Sequence, residues 1–172
     1  MLTAILLAYP APAAAPLRRD AISRSLGSLV ESCVQGLVSD AVLVGAPETG
    51  LSGIADDAGC ALVENPTASE GLRAALSAAR RDQVFLLAAG AAVDRGFVDE
   101  INDALSYGAP GRALALRLAP HSLLTRFAPG FSQVVGIIAP KADISARGGA
   151  DFTRLSKSLR CAEIASRARR TF

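Results

Sequence analysis

Short, almost continuous apolar runs alternate along the chain with longer segments in which apolar residues recur every three or four positions. The run QVFLLAAGAA at residues 83–92 has the length of a strand and ends in small residues, which indicates a buried central strand opening into a loop or crevice. Similar runs predict strands at residues 2–8, 41–44 and 60–63. Because ligands in open α/β sheets bind at the carboxyl ends of the strands, we expect a site beyond the central run.

The segments between these runs have the spacing of amphipathic helices. Asp20 can cap a first helix that ends at Gly36, and Ser69 can cap a helix over residues 70–80. Another helix begins at Asp94. Strands and helices therefore alternate with short connections through the first two thirds of the chain, which predicts a mostly parallel sheet with right-handed crossovers.

The remainder of the chain has a less regular pattern. It predicts strands at residues 113–118 and 134–139, short helices at 122–127 and 140–146, and a C-terminal helix at 153–170. Neither an internal repeat nor a low-complexity linker divides the sequence. We therefore predict a single α/β domain over residues 1–172, in which helices sandwich a mostly parallel sheet.

Composition and charge refine this picture. Hydrophobic residues make up 51% of the chain and aromatic residues 5%, so the core should consist of Ala, Leu, Val and Ile. The net charge of +2 by itself favours neither a nucleic acid nor an acidic substrate. Its distribution is uneven: residues 1–111 contain 7 basic and 13 acidic side chains, whereas residues 112–172 contain 11 basic and 3 acidic. This asymmetry predicts a basic face in the C-terminal part.

The cysteines and the histidine limit the chemistry. Cys33, Cys60 and Cys161 are odd in number, widely spaced and without a CxxC motif, as expected of reduced thiols in a cytosolic protein. We expect Cys33 and Cys60 to be small core residues. His121 is the single histidine, which excludes a histidine-rich metal site, and its position after Pro120 is typical of a surface or capping residue.

The first residues form a short apolar run, but no Lys or Arg precedes it, as a secretory signal would require. No run reaches the roughly 18 apolar residues that are needed to span a bilayer. These two observations predict a cytoplasmic protein.

The order of elements and several phrases of the sequence resemble the nucleotide-diphospho-sugar transferase (GT-A) fold of glycosyltransferase family 2. The phrases that carry the resemblance are LTAILLAYP, DAVLVGAPETG, SEGLRAALSAARRDQVFLL followed by AAG, and GIIAPKADISARGG. Together they span nearly the whole chain. The resemblance implies a nucleotide-binding-like half over residues 1–111 and an acceptor-like half over residues 112–172 with a basic C-terminal helix.

The acids with which this family binds its donor are missing at the matching positions. Gly45 stands where the family's base-binding aspartate would be, and Ala88 and Gly90 stand where its metal-binding Asp-x-Asp pair would be. A divalent ion held by that pair neutralises the charge that develops on a diphosphate leaving group. We therefore predict neither a metal nor a cofactor for this chain.

For nucleotide-sugar binding, the resemblance implies Tyr9, Glu48, Arg73, Ala88 and Gly90. Arg73 falls close to the family's Ala-Arg-Asn and can meet a phosphate, or it is an ordinary exposed helix arginine. Glu48 lies in the loop after the second strand, where simple solvation of the loop is the alternative.

Two further acids are candidate catalytic residues, although neither occupies a matching position that assigns the role. Asp94 follows the central strand, where capping of the next helix is the alternative. Glu163 lies after the Gly148-Gly149 pair, where the family often places its base. The glycine pair can let the backbone approach an acceptor closely, or it can simply separate two helices.

Two functions follow from the resemblance. The first is a glycosyltransferase family 2-like protein that binds a nucleotide sugar and transfers the sugar without a metal, with Arg73 and the loop after Tyr9 positioning the diphosphate. The second is a catalytically degenerate member that keeps the fold as a binding or assembly module. A nucleotidyltransferase of similar fold ranks last, because AYPAPAAAPLRR lacks the glycine-rich loop that such enzymes need.

The basic C-terminal helix has three interpretations. It is a solvated face, a contact with anionic lipid at the inner face of the membrane, or a docking surface for an acidic protein. Sequence-specific nucleic-acid binding is not expected, because no aromatic platform accompanies the charge.

Overall fold

Eight strands form one sheet, and seven helices accompany it, in the part of the chain that the structure describes. The structure, a computed structural model, describes residues 1–9, 18–107, 112–120 and 132–171. The strands are β1 (Leu2–Ala8), β2 (Val38–Gly45), β3 (Ala61–Glu64), β4 (Gln83–Ala88), β5 (Ala91–Ala92), β6 (Leu114–Leu118), β7 (Val134–Pro140) and β8 (Ala162–Arg170). The helices are α1 (Arg19–Gly27), α2 (Val30–Val34), α3 (Leu51–Ala58), α4 (Ala68–Ala78), α5 (Phe97–Tyr107), α6 (Lys141–Arg147) and α7 (Phe152–Ser158).

The sheet has the strand order β3-β2-β1-β4-β7-β6-β8-β5. Strands β1 to β4 pair in parallel, as do β6 and β8, whereas β7 runs antiparallel to β4 and β6, and β5 runs antiparallel to β8. The predicted mostly parallel sheet is confirmed. The strand order reverses at β1, because the chain adds β2 and β3 on one side and β4 on the other, and such a switch point opens a crevice at the carboxyl ends of β1 and β4.

Helices cover both faces of the sheet. One core cluster packs α1, α3 and α5 on the first face, through side chains such as Ile22, Ile54 and Phe97. The second packs α4, α6 and α7 on the other face, through side chains such as Leu72 and Leu155. Every residue of β1 is buried, and its side chains alternate between the two clusters, which explains its continuous apolar sequence.

Some predicted boundaries differ from the structure. The single helix predicted from Asp20 to Gly36 is two helices, α1 and α2, and the side chain of Asp20 does not cap α1. Thr67 rather than Ser69 caps α4: its hydroxyl accepts from the Glu70 backbone N–H and donates to the Glu70 carboxylate. The Thr67 backbone N–H donates to the Asn65 Oδ1 atom instead, so only the hydroxyl half of a capping box is formed.

The predicted helix at residues 153–170 is wrong. Helix α7 ends at Ser158, and the chain turns through Arg160 at φ 51° into β8, which pairs in parallel with β6. Residues 162–170 include three Ala and three Arg, which favour helices in isolation, but pairing with β6 overrides that preference. The predicted basic C-terminal helix is therefore a strand over residues 162–170, whereas a contact of this basic segment with lipid or an acidic protein stays a prediction.

Other predictions have mixed outcomes. Cys33 is exposed and Cys60 is half-buried, so the prediction of two core thiols is wrong for Cys33. His121 and the helical turn predicted at residues 122–127 lie outside the described residues. Within the described ranges, no helix combines the length and the apolar character that crossing a membrane requires.

Candidate functional site

A cleft of about 950 Å³ opens on the α4 and α7 face of the sheet, at the carboxyl end of β1. Because β7 is antiparallel to β4, its first residues reach the same edge of the sheet as the last residues of β1 and β4. The cleft is bounded by Tyr9 after β1, by the first turn of α4, by Gln133 before β7, and by the turn that joins α6 to α7. It therefore lies beside the point at which the strand order reverses.

Two aromatic side chains line the cleft. The Tyr9 hydroxyl donates a hydrogen bond to the Asn65 carbonyl oxygen at 2.7 Å, and burial raises the pKa of this phenol. A Cβ on Gly71 would lie only 2.4 Å from the Tyr9 hydroxyl oxygen, so the glycine in α4 makes room for the ring. Phe152, the first residue of α7, is half-buried and lines the same cleft. The prediction of Tyr9 as a site residue thus coincides with the wall of a cleft.

The turn between α6 and α7 contributes the charged groups of the cleft. Arg147 ends α6, Arg154 lies in the first turn of α7, and both are exposed and line the cleft. Asp151 also lines it, and its carboxylate accepts a hydrogen bond from the Arg154 backbone N–H at 2.8 Å. Gly148 and Gly149 separate these groups at φ 64° and 80°, a left-handed conformation that suits glycine.

The end of β4, where the family that the sequence resembles has its acidic pair, is occupied by contacts within the protein. Ala88 is opposite Leu7 of β1. The Gly90 N–H donates to the Ser25 hydroxyl at 2.9 Å, and the Gly90 carbonyl accepts from the Thr171 N–H at 3.0 Å. Helix α1 and the residue after β8 therefore both form hydrogen bonds with this turn, and Gly90 is buried.

The residues at this edge do not fit a divalent cation. Neither Ala88 nor Gly90 supplies a carboxylate, and a Cβ on Gly45 would lie 2.2 Å from the Leu51 Cδ1 atom, so an aspartate at that position would also need rearrangement. Within residues 1–9, 18–107, 112–120 and 132–171, no group of three or more His, Cys, Asp or Glu side chains is arranged to hold a metal.

Two predicted binding residues lie outside the lining of the cleft. Glu48 is exposed in the turn after β2, at φ 61°, and Arg73 is exposed in the middle of α4. Of the predicted binding residues, Tyr9 therefore lines the cleft, and the end of β4 lies beside β1. Glu48 and Arg73 do not line the cleft.

The two candidate catalytic acids are engaged elsewhere. The Arg95 N–H and the Arg169 guanidinium both hydrogen-bond the Asp94 carboxylate and lower its pKa, and Asp94 lines a separate cavity of about 300 Å³ beside α1, α2 and α5. Glu163 lies near the start of β8 and accepts a hydrogen bond from the Arg117 Nε atom at 2.8 Å. Neither acid lines the cleft.

Comparison with known proteins identifies the fold. No protein-family model and no curated protein sequence matches this chain. Among solved structures, glucosyl-3-phosphoglycerate synthase from Mycobacterium tuberculosis superposes with a TM-score of 0.57 at 17% identity, over 83% of this chain and 57% of the synthase. The bifunctional IspDF from Campylobacter jejuni gives a TM-score of 0.64 at 13% identity, over 95% of this chain and 49% of that protein. The 2-C-methyl-D-erythritol 4-phosphate cytidylyltransferase from Thermus thermophilus gives 0.56 at 16% identity, over 92% of this chain and 85% of that one.

The chain spans little more than half the length of the synthase that it matches. At these identities the likeness concerns the fold, and the fold agrees with the one that the sequence resembles. The chain is a divergent α/β domain with the GT-A type fold of nucleotide-diphospho-sugar transferases and related cytidylyltransferases.

Proposed function

We propose that this chain binds a nucleoside diphosphate or its sugar conjugate in the cleft beside Tyr9, and that it acts as a binding module without metal-dependent sugar transfer. The observation that carries the proposal is the position of the cleft next to the switch point at β1, where open α/β sheets bind their ligands. Its volume of about 950 Å³ also falls within the range of small-molecule sites. A structure of the M. tuberculosis synthase with the same fold contains UDP and Mn²⁺.

The aromatic lining supports a nucleobase as the anchored part of the ligand. Tyr9 and Phe152 both line the cleft, and stacking of a base on an aromatic side chain contributes about 1–3 kcal/mol. Polar side chains of Ser69, Gln133 and Thr153 line the same cleft and can bond the edges of a base or a sugar.

The residues at the carboxyl end of β4 favour nucleotide binding over sugar transfer. Sugar transfer from a nucleotide requires that the charge on the departing diphosphate be neutralised, and the acidic pair that holds a metal for this purpose is replaced by Ala88 and Gly90. Asp94 and Glu163 are each paired with an arginine away from the cleft. These contacts support a catalytically degenerate binding module.

A second candidate function is metal-independent sugar transfer. The observation that favours it is Asp151, the one carboxylate among the described residues that line the cleft. Incubation with each nucleotide sugar and assay of released nucleoside diphosphate distinguishes the two functions. If the wild type releases nucleoside diphosphate and Asp151→Asn does not, while the variant still binds the nucleotide, the protein is an enzyme rather than a binding module.

Blocking the cleft tests the proposed binding. Ser69 is exposed in the first turn of α4 and lines the cleft, so Ser69→Trp should fill the space that a nucleotide needs and reduce its affinity by about tenfold or more. Ser77→Trp, at an exposed position later in the same helix, should leave the affinity unchanged. Isothermal titration calorimetry with the nucleoside diphosphate that binds the wild type makes the comparison, and equal affinity in both variants would locate the site elsewhere.

A further inference from the structure

We propose that Arg147 and Arg154 hold the diphosphate of the bound nucleotide, in the role that a divalent cation plays in metal-dependent proteins of this fold. This assignment rests on the proposed nucleotide binding and adds the groups that recognise its charged part. It moves the phosphate contact from Arg73, which does not line the cleft, to the turn between α6 and α7.

The two arginines lie on either side of one short turn. Arg147 is the last residue of α6 and Arg154 lies near the start of α7, so the two helices fix their backbones on either side of Gly148 and Gly149. A Cβ built on either glycine would meet no atom within 4 Å, so open space lies beside the backbone of this turn. Because both arginines line the same cleft, we infer that an anionic group bound there can meet both of them.

Both guanidinium groups are available to an anion. Neither Arg147 nor Arg154 forms an ion pair with an acid among the described residues, in contrast to Arg117 and Arg169. Asp151 is the opposing charge in the cleft, but its carboxylate bonds the Arg154 backbone N–H and caps α7. The described lining thus carries two positive charges and one negative charge.

The chemistry of arginine fits a diphosphate. A guanidinium presents a planar fork of N–H donors that bonds two phosphate oxygens at once, and two such groups can serve the two phosphates of a nucleoside diphosphate. Because both side chains are exposed, solvent ions screen their attraction, and the affinity should fall as salt concentration rises. A mononucleotide or a nucleoside should gain less from the pair than a diphosphate does.

Calorimetry on variants of the whole chain tests the assignment. UDP, GDP, CDP and TDP are titrated into the wild type, in EDTA and in Mn²⁺, together with the nucleoside of the base that binds. The double variant Arg147→Gln, Arg154→Gln should lower diphosphate affinity by about tenfold or more while leaving nucleoside affinity within about twofold. Lys157→Ala removes an exposed cation of α7 that does not line the cleft, and it should bind as the wild type does.

The outcomes separate the two levels of the proposal. A wild type that binds a diphosphate only with Mn²⁺, or a double variant that binds it as tightly as the wild type, would overturn the arginine assignment and leave nucleotide binding in place. A wild type that binds none of the four nucleotides would overturn both. Retained nucleoside affinity in the double variant serves as the internal check that its cleft is still folded.

Discussion

Tyr9 connects the core of the protein to the cleft. Its hydroxyl is bonded to the Asn65 carbonyl oxygen, and its ring passes over a glycine in α4 that has no side chain to obstruct it. Because the ring is fixed before any ligand arrives, stacking a base on it should cost little side-chain entropy. The contact between Tyr9 and Gly71 is therefore a structural requirement for the shape of the cleft.

Disturbing the contact between Tyr9 and Gly71 should destabilise the protein. Gly71→Ala should lower the free energy of unfolding by about 1–3 kcal/mol, because the added methyl group overlaps the Tyr9 hydroxyl and lies 2.9 Å from the Val44 Cγ1 atom. Tyr9→Phe should cost about 1 kcal/mol through the lost hydrogen bond. The double variant should lose less than the sum, because removal of the hydroxyl relieves part of the overlap. Urea denaturation of the four proteins measures this coupling, and strictly additive losses would contradict the described packing.

Strand β8 depends on a contact with α5. Its pairing with β6 is irregular between Ala115 and Arg117, and the Glu100 carboxylate accepts hydrogen bonds from the Ala165 and Ser166 N–H groups at 2.5 and 2.7 Å. Burial alone would raise the pKa of Glu100, but the hydrogen bonds from Ser166 and Ala165 outweigh it and hold the pKa below its usual value. The carboxylate thus satisfies two backbone donors that the irregular pairing would otherwise leave open.

The lowered pKa makes this contact sensitive to acid. Glu100→Gln should reduce the free energy of unfolding by roughly 1 kcal/mol at pH 7, a figure that allows for partial solvent exposure. A carboxylate with a lowered folded-state pKa stabilises above its unfolded value of about 4.3 and loses that contribution as the pH falls through the folded value. The difference between the wild type and Glu100→Gln should therefore shrink below about pH 4.

Urea denaturation at several pH values checks this dependence. Asp103→Asn, which removes an exposed carboxylate from the same helix, serves as the control and should show no comparable change between neutral and acid pH. A difference between the wild type and Glu100→Gln that stays constant across the range would contradict the role of the carboxylate.

The turn between β4 and β5 should not accept the acidic pair of the glycosyltransferase family that the sequence resembles. Gly90 is buried at φ 89°, and both of its backbone polar groups are bonded within the protein. Ala88→Asp with Gly90→Asp should lower the melting temperature by several degrees, because a side chain is strained there and a buried charge lacks a partner. The matched pair Ala88→Asn with Gly90→Asn should be less destabilised. A rise in the melting temperature of the aspartate variant on adding Mn²⁺ would contradict this description of the turn.

Much of the fold is predictable because its main determinants are local. Strands β1 and β4 are covered on both faces, so their residues are continuously apolar and the sequence reveals them. Strand β8 is not predicted, because its residues favour a helix in isolation and contacts with distant elements, chiefly β6 and Glu100 of α5, make them extended. Contacts between elements far apart in sequence are not encoded in local periodicity.

The candidate site is less predictable than the fold. Tyr9 is predicted because it stands in the phrase LTAILLAYP, which carries the resemblance to the glycosyltransferase family. Arg147, Phe152 and Arg154 carry no local mark of function, since they belong to two short helices that are positioned at the cleft by packing on β7 and other distant elements. The Gly148-Gly149 pair is the available signal: it separates the two helices, and open space lies beside its backbone.

At the level of the whole molecule, a GT-A type sheet retains a cleft at its switch point, whereas the residues at the end of β4 do not fit a metal. Together these features predict nucleotide binding that is independent of divalent ions. A thermal-shift panel of UDP, GDP, CDP and TDP and their common sugars, run in EDTA and in Mn²⁺, tests this combination most directly. One nucleotide should raise the melting temperature by several degrees, and by the same amount in both conditions. No response to any of them, or a response that requires Mn²⁺, would contradict metal-independent binding.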